Sequence, residues 1–155
     1  MYSSILHTIG LAGELDSADS QRLANCATFA AWPEQEVLFR EGELHANVYW
    51  IKQGRVRLEM SATRASAKAM LTLGPGDLLA WSSLLSDKRM TATATTVEPT
   101  TLFAFDADQL HQLGEQNPQI GCRVMHIVAK ALSQRLVATR LQLLDLFDQP
   151  IRTRL

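Results

Sequence analysis

The sequence predicts a mainly β domain flanked by helices, an antiparallel barrel or double-sheet jelly roll that ends in a long C-terminal helix. Three observations predict it. Short β-branched and apolar runs recur with Gly and Pro between them, as in architectures built from many strands and turns. A cap-forming stretch precedes them, and from Pro118 onward the apolar residues fall into helical spacing. At 155 residues, 46% of them apolar and 20% charged, residues 1–155 make a single domain of ordinary size with a substantial core. The strands are expected over about 28–106 and the C-terminal helical region over about 107–149.

The elements follow in order. Asp16-Ser17-Ala18-Asp19 supplies helix-capping residues, and the helix behind it places Leu23, Cys26 and Ala27 on one face. Thr28 to Trp32 forms a short strand stopped by Pro33, and Val37-Leu38-Phe39 forms another, turned by Glu41-Gly42-Glu43. Val48 to Ile51 and Val56 to Met60 are apolar, β-branched runs joined by Lys52-Gln53-Gly54-Arg55, the composition of a hairpin turn. Ser61 to Ser66 reads as a loop, Ala67 to Leu73 as a strand, and Thr100 to Phe105 alternates as a half-buried strand does. Asp106 caps a short helix from Ala107 to Leu113, which Gly114 ends.

The last helix runs from Pro118 to about Phe147, with Pro150 marking a stop. Ile120, Val124, Ile127, Val128 and Ala131 form one apolar strip, while Leu132, Leu136, Leu143 and Leu146 form another, widened by Val137, Leu141 and Leu144. A helix on a monomer surface needs one apolar face. The leucine-rich half therefore implies a homodimer formed through this helix; the alternative is a helix folded back to bury both strips in one subunit.

Charge and motifs exclude several classes. A net charge of -1 and a pI near 6.4 give no electrostatic reason to expect nucleic-acid or membrane-surface binding. No run is long enough to cross a bilayer, and the N-terminus lacks the features of a secretion signal, so a cytoplasmic protein is expected. Cys26 and Cys122 have no metal or redox spacing and read as buried, reduced thiols. The four histidines, His7, His45, His111 and His126, are scattered, so no metal site is expected. No catalytic motif is present, and no enzyme is predicted. A jelly-roll metalloenzyme would need a cluster of histidines and carboxylates that cannot be assembled from this chain.

Residues 74–94 organise the functional reading. Gly74-Pro75-Gly76-Asp77 breaks a strand, Trp81-Ser82-Ser83-Leu84-Leu85 starts a short helix, and a strand-like tract runs from Thr91 to Val97. The first N–H groups of a helix have no partners within it and carry partial positive charge, so this layout can cradle an anion.

The order of elements resembles the cyclic-nucleotide-binding domain family, the sensor module of catabolite-activator-type regulators. Helix residues 17–27, Val37 to Glu43, Val48 to Leu58 and Leu73-Gly74-Pro75-Gly76-Asp77 carry the resemblance, which covers about residues 15–147. It implies an eight-stranded β-roll with flanking helices and a pocket lined by Gly76, Asp77, Leu78, Trp81, Ser82, Ser83, Arg89, Thr91 and Ala92. The implied ligand is a cyclic nucleotide, cAMP or cGMP, or a similar small anion; no other cofactor is called for. The implied function is a stand-alone regulatory sensor that signals through its C-terminal helix; the alternative is a ligand-free structural or interaction module with a degenerate pocket.

The cassette departs from the family pattern at two positions. Asp77 stands where the family has a ribose-binding glutamate, shorter by one methylene, and Met90 stands where it has the phosphate-binding arginine before Thr91-Ala92. Arg89 is adjacent, yet successive strand side chains point to opposite faces, so it reaches the pocket only if the register shifts by one. Losing a charge-assisted phosphate contact worth about 1.5–3 kcal/mol weakens affinity roughly 10- to 150-fold. The remaining residues each have two readings: Asp77 as ribose acceptor or turn carboxylate, Ser82 and Ser83 as phosphate donors or helix caps, Thr91 as ligand donor or strand residue. Trp81 stacks on a purine or, the commoner fate, joins the core. Arg135 and Arg140 read as solvated charges, with closure over the ligand the lesser role. After Phe147 only a short tail remains, so no helix pair for direct DNA reading is expected.

Overall fold

The computed structural model describes residues 2–61, 68–85 and 87–148, with the side chains of Lys68 and Ala69 excepted. Helices α1 (Tyr2–Ile9) and α2 (Ser17–Asn25) lead into strands β1 (Ala27–Trp32), β2 (Val37–Phe39), β3 (Asn47–Gln53), β4 (Val56–Ser61), β5 (Lys68–Leu73) and β6 (Leu78–Leu79). One helical turn, α3 (Ser82–Leu85), separates these from β7 (Thr93–Thr96) and β8 (Thr100–Asp106), and the helices α4 (Ala107–Gln116) and α5 (Pro118–Asp148) follow. The eight strands form two four-stranded antiparallel sheets, ordered β1-β8-β3-β6 and β2-β7-β4-β5, the double-sheet arrangement that the strand pattern predicts and the eight-stranded β-roll that the resemblance implies.

β3 explains the unbroken apolar run at Val48 to Ile51, because it is buried on both faces. Val48 and Trp50 point into a core shared with the helices, where they meet Phe103, Phe105, Ile120 and Val124. Tyr49 and Ile51 point between the sheets, onto Leu38, Val56, Leu79, Met90 and Leu102. A strand with two buried faces loses the alternation of a half-buried one. The chain crosses from one sheet to the other six times, and two of these crossings, at Gly54 between β3 and β4 and at 97–99 between β7 and β8, lie side by side. These two touch: Val97 N–H donates to the Arg55 carbonyl at 3.0 Å, and the buried Thr100 hydroxyl donates to the Glu98 carbonyl at 2.8 Å.

Asp16 caps α2 through the N–H of Asp19 at 2.7 Å, and Asp106 caps α4 through that of Gln109 at 2.9 Å, as the sequence predicts. Other details differ. α1 carries no predicted counterpart; Ile5, Leu6 and Ile9 bury its inner face in the helical core. Cys26 and Ala27 leave α2, as its C-cap and the first residue of β1. α4 runs through Gly114 to Gln116, because Gly114 sits against Gly121 of α5 with only 3.0 Å from its would-be Cβ to the Gly121 Cα. The glycine permits close helix packing instead of ending the helix. Cys26 is half-buried and Cys122 exposed, both as free thiols, because Cys122 falls outside the strip that α5 buries.

α5 has 31 residues, about 46 Å at 1.5 Å per residue. Ile120, Val124 and Val128 are buried, and Ile127, Ala131 and Leu132 pack beside them. Leu136, Val137, Leu141, Leu143, Leu144, Leu146 and Phe147 are exposed in this chain. The predicted loop at 62–66 and the stop at Pro150 lie outside the described residues. Among those described, no helix is long and apolar enough to cross a membrane.

Candidate functional site

β5 ends at Leu73, and the turn after it closes on itself. The Gly74 N–H donates to Asp77 Oδ2 at 2.8 Å, and the Asp77 N–H donates to the Gly74 carbonyl at 3.0 Å. Gly76 holds φ +86°, a region glycine enters without steric cost, and its N–H donates to the Ile51 carbonyl at 2.8 Å. The two-residue strand β6 then lies against β3, with Leu78 opposite Trp50. Ala80, at φ +60°, turns the chain into α3.

The amides of this turn are largely engaged. Ser83 and Leu84 donate their N–H groups to the carbonyls of Ala80 and Trp81 at 3.1 and 3.0 Å. The Ser83 hydroxyl, 2% exposed, donates to the carbonyls of His45 and Asn47 at 2.8 and 3.0 Å, so it ties α3 to β3. This tie is not the helix cap expected as its structural role.

A hollow between the sheets' open end, α3 and α5 is lined by Phe39, Leu58, Ala80, Trp81, Ser82, Met90, Thr91, Ala92 and Arg135. Its volume is about 20 Å³, room for about one water. Met90, 3% exposed, belongs to the core between the sheets and faces the hollow, while Arg89 points away. The exposed Arg89 guanidinium donates from Nη1 to the Gly42 carbonyl at 2.6 Å and stands 3.9 Å from Asp87. Met90 and Thr91 precede β7, and the alternation expected from Thr91 starts only at Thr93.

Gly76, Asp77 and Leu78 face a second, wider groove of about 650 Å³, bounded by the end of α1 and the middle of α5. The predicted residues thus divide: Trp81, Ser82, Thr91 and Ala92 surround the hollow, Gly76, Asp77 and Leu78 the groove, Ser83 the core beneath, and Arg89 the outer surface. Arg135 of α5 lines both cavities. Its Nη2 donates to the Leu78 carbonyl, and the Asp77 carboxylate attracts it. Burial pulls the guanidinium below its ordinary pKa, and Asp77 opposes that shift. A signal for this residue exists in the sequence: Arg135 continues the buried line Val124, Val128, Ala131 at helical spacing, which a solvated charge would not do.

His45 supports the hollow from behind. Its Nε2 lies 2.8 Å from the Tyr49 hydroxyl, its ring lies 5.4 Å from that of Phe39 at a tilt of 42°, and its carbonyl accepts from Ser83. Burial lowers its pKa, and Glu43 opposes this. A histidine held neutral in the fold and ordinary at about 6.5 in the unfolded chain contributes stability above that pH, lost as the pH falls through its depressed folded value. Urea midpoints at pH 7.5 and 5.5 should therefore separate further for the wild type than for His45→Gln; equal separations would show that His45 titrates alike in both states.

The comparisons agree with this geometry. Residues 30–117 match the family described as cyclic nucleotide-binding domain. The Cyclic AMP receptor protein of Thermus thermophilus is 30% identical over 112 residues, 72% of this chain and 50% of that relative, so the chain spans half the relative's length. The crystal structure of the Thermus thermophilus catabolite activator protein superposes with a TM-score of 0.69 at 27% identity, over 94% of this chain and 63% of that one. A cyclic nucleotide-binding domain from Methylobacillus flagellatus superposes with a TM-score of 0.84 at 19% identity, over 97% and 86% of the two chains, a likeness of fold alone. The fold is thus shared with these proteins, and the chain belongs to the cyclic nucleotide-binding domain family.

Proposed function

We propose that this chain is a non-enzymatic regulatory domain that takes a small cyclic-nucleotide-like anion between the β-roll and α5, and reports its presence by moving α5. Arg135 carries the reading. The cassette itself brings no cation to the hollow, since Met90 is apolar and Arg89 faces out; the one guanidinium lining it, among the described residues, belongs to the moving helix. A hollow of about 20 Å³ cannot hold a nucleotide, so α5 must shift outward while the long arginine side chain keeps contact with the phosphate. Ligand then favours the outward helix and shifts the population by its differential affinity.

Calorimetry and thermal melts with cAMP and cGMP test this. Ligand at a hundred times Kd raises stability by about 2.7 kcal/mol, roughly 5–10 °C in Tm for a chain of this size. No heat and no shift at millimolar nucleotide would leave the second reading, a ligand-free interaction module, which the burial of Met90 and the smallness of the hollow favour.

Helix α5 is the proposed dimer seam. Val137, Leu141 and Leu144 lie on one line at helical spacing, with Leu136, Leu143 and Phe147 beside it, all exposed in the single chain. A parallel relation to a second copy would bury them. Leu141→Glu with Leu144→Glu should convert a dimer to a folded monomer in sedimentation; a monomeric wild type at micromolar concentration would refute the seam.

A further inference from the structure

The loop between β2 and β3 holds the far side of the cassette in place through its backbone. The Gly42 N–H donates to the Met90 carbonyl and the Met90 N–H to the Glu43 carbonyl, both at 2.8 Å, and the His45 N–H donates to the Lys88 carbonyl at 2.9 Å. A bridge pairs Leu44 with Arg89, and the His45 carbonyl takes the Ser83 hydroxyl. Loop and cassette thus form one clasp. Met90 and the start of α3, which wall the hollow, stand where this loop puts them.

One ring pins the clasp. His45 lies between Phe39 and Tyr49, with ring centroids 5.4 and 5.5 Å away, and its Nε2 stands 2.8 Å from the Tyr49 hydroxyl. Tyr49 is 5% exposed, and the Asn47 side chain donates to the same hydroxyl. A phenol has one proton to give. With Asn47 on the oxygen, that proton goes to Nε2, which accepts it only while the imidazole is neutral. An imidazolium sets N–H against O–H, and turning the phenol proton aside leaves a buried donor without an acceptor. Glu43 of the loop attracts the charge, whereas β2 offers Phe39 and β3 offers Tyr49. The charges of the cassette are turned elsewhere: Lys88 to Asp108 at 2.7 Å, and Arg89 to Asp87 and the Gly42 carbonyl.

We propose that His45 is a positioning residue for the ligand site and makes that site acid-sensitive. Neutral, it pins the loop under the cassette; protonated, it frees the loop, so Met90 and α3 lose their fixed place and ligand affinity falls. The effect on affinity rests on the cyclic-nucleotide reading of the hollow; the clasp itself does not.

The clasp is tested first without ligand, by following ¹H–¹⁵N spectra of the full chain from pH 7.5 to 5.5. The amides of Gly42, His45, Lys88 and Met90 should shift with one midpoint, that of the His45 ring, and His45→Gln should abolish the shift. His111, whose Nε2 bonds the Leu84 carbonyl at 2.7 Å, is the other histidine against α3. His111→Gln should leave the response of Gly42 and Met90 in place. Calorimetry with cAMP, whose phosphate stays ionised over this range, then reads the affinity. Binding that needs the neutral ring loses at most tenfold per pH unit below the free chain's value, so the wild type should weaken roughly two- to tenfold between pH 7.5 and 5.5. His45→Gln should bind equally at both. Amides of Met90 and Lys88 that ignore the His45 titration, or an equal loss of affinity in wild type and His45→Gln, would overturn the proposal. No heat at either pH would overturn the cyclic-nucleotide reading and the affinity effect with it, while the spectra still judge the clasp.

Discussion

Gly54→Ala is expected to destabilise the fold by about 2–5 kcal/mol and to lower Tm by roughly 5–20 °C. Gly54 sits where the chain leaves one sheet for the other, at φ +96°. A Cβ there would lie 2.5 Å from Thr100 Oγ1, 2.6 Å from the Pro99 carbonyl and 2.8 Å from the Thr100 Cα. Two of those atoms are backbone, so no rotamer change relieves the overlap. Left-handed backbone costs a residue with a Cβ roughly 1–2 kcal/mol, and overpacking typically adds 1–3 kcal/mol. Gly13→Ala is the control: φ is +76°, yet nothing lies within 4 Å of its Cβ, so only the conformational part, about 1–2 kcal/mol, should appear. Chemical denaturation of both variants measures the difference. Equal losses would mean that the two sheet-crossing corners separate without cost.

Arg135→Ala is expected to weaken cyclic-nucleotide binding roughly 10- to 150-fold, the equivalent of a charge-assisted phosphate contact of about 1.5–3 kcal/mol. Arg135→Lys should recover only part of it, because an ammonium keeps the charge but not the two-pronged donor geometry. Arg89→Ala should leave affinity unchanged, since that guanidinium is engaged with the Gly42 carbonyl on the outer surface. Calorimetry on the three variants separates these outcomes. If Arg135→Ala binds more tightly than the wild type, the arginine acts as a plug held by Asp77 and Leu78, and the phosphate finds its partner elsewhere.

Seven of the eight strands and the capped helices were legible in the sequence because each carries its own local signal: β-branched runs, glycine corners, and capping aspartates such as Asp16 and Asp106; the two-residue β6, Leu78–Leu79, is set only by its pairing with β3. The N-terminal helix α1 was not legible either. Its eight residues have no acidic first turn, and only packing of Ile5, Leu6 and Ile9 on the core marks it as an element. Gly114 misled for a related reason. A glycine near a helix end reads as a stop, whereas a partner glycine seven residues on makes it a contact point, and that pairing exists only once two helices cross.

The site divides in the same way. Residue order alone determined that 74–94 would form a turn, a helical turn and a returning strand, because these are facts of composition and spacing; that Met90 stands where the family has an arginine is what the resemblance implied. Only the tertiary structure decided that Asp77 closes its own turn, that Gly76 to Leu78 and Trp81 to Ala92 face different cavities, and that a guanidinium from α5 stands between them. Local backbone preference acts over a few residues; Arg135 lies 57 residues from Leu78, and only the packing of a helix across a sheet brings such groups together.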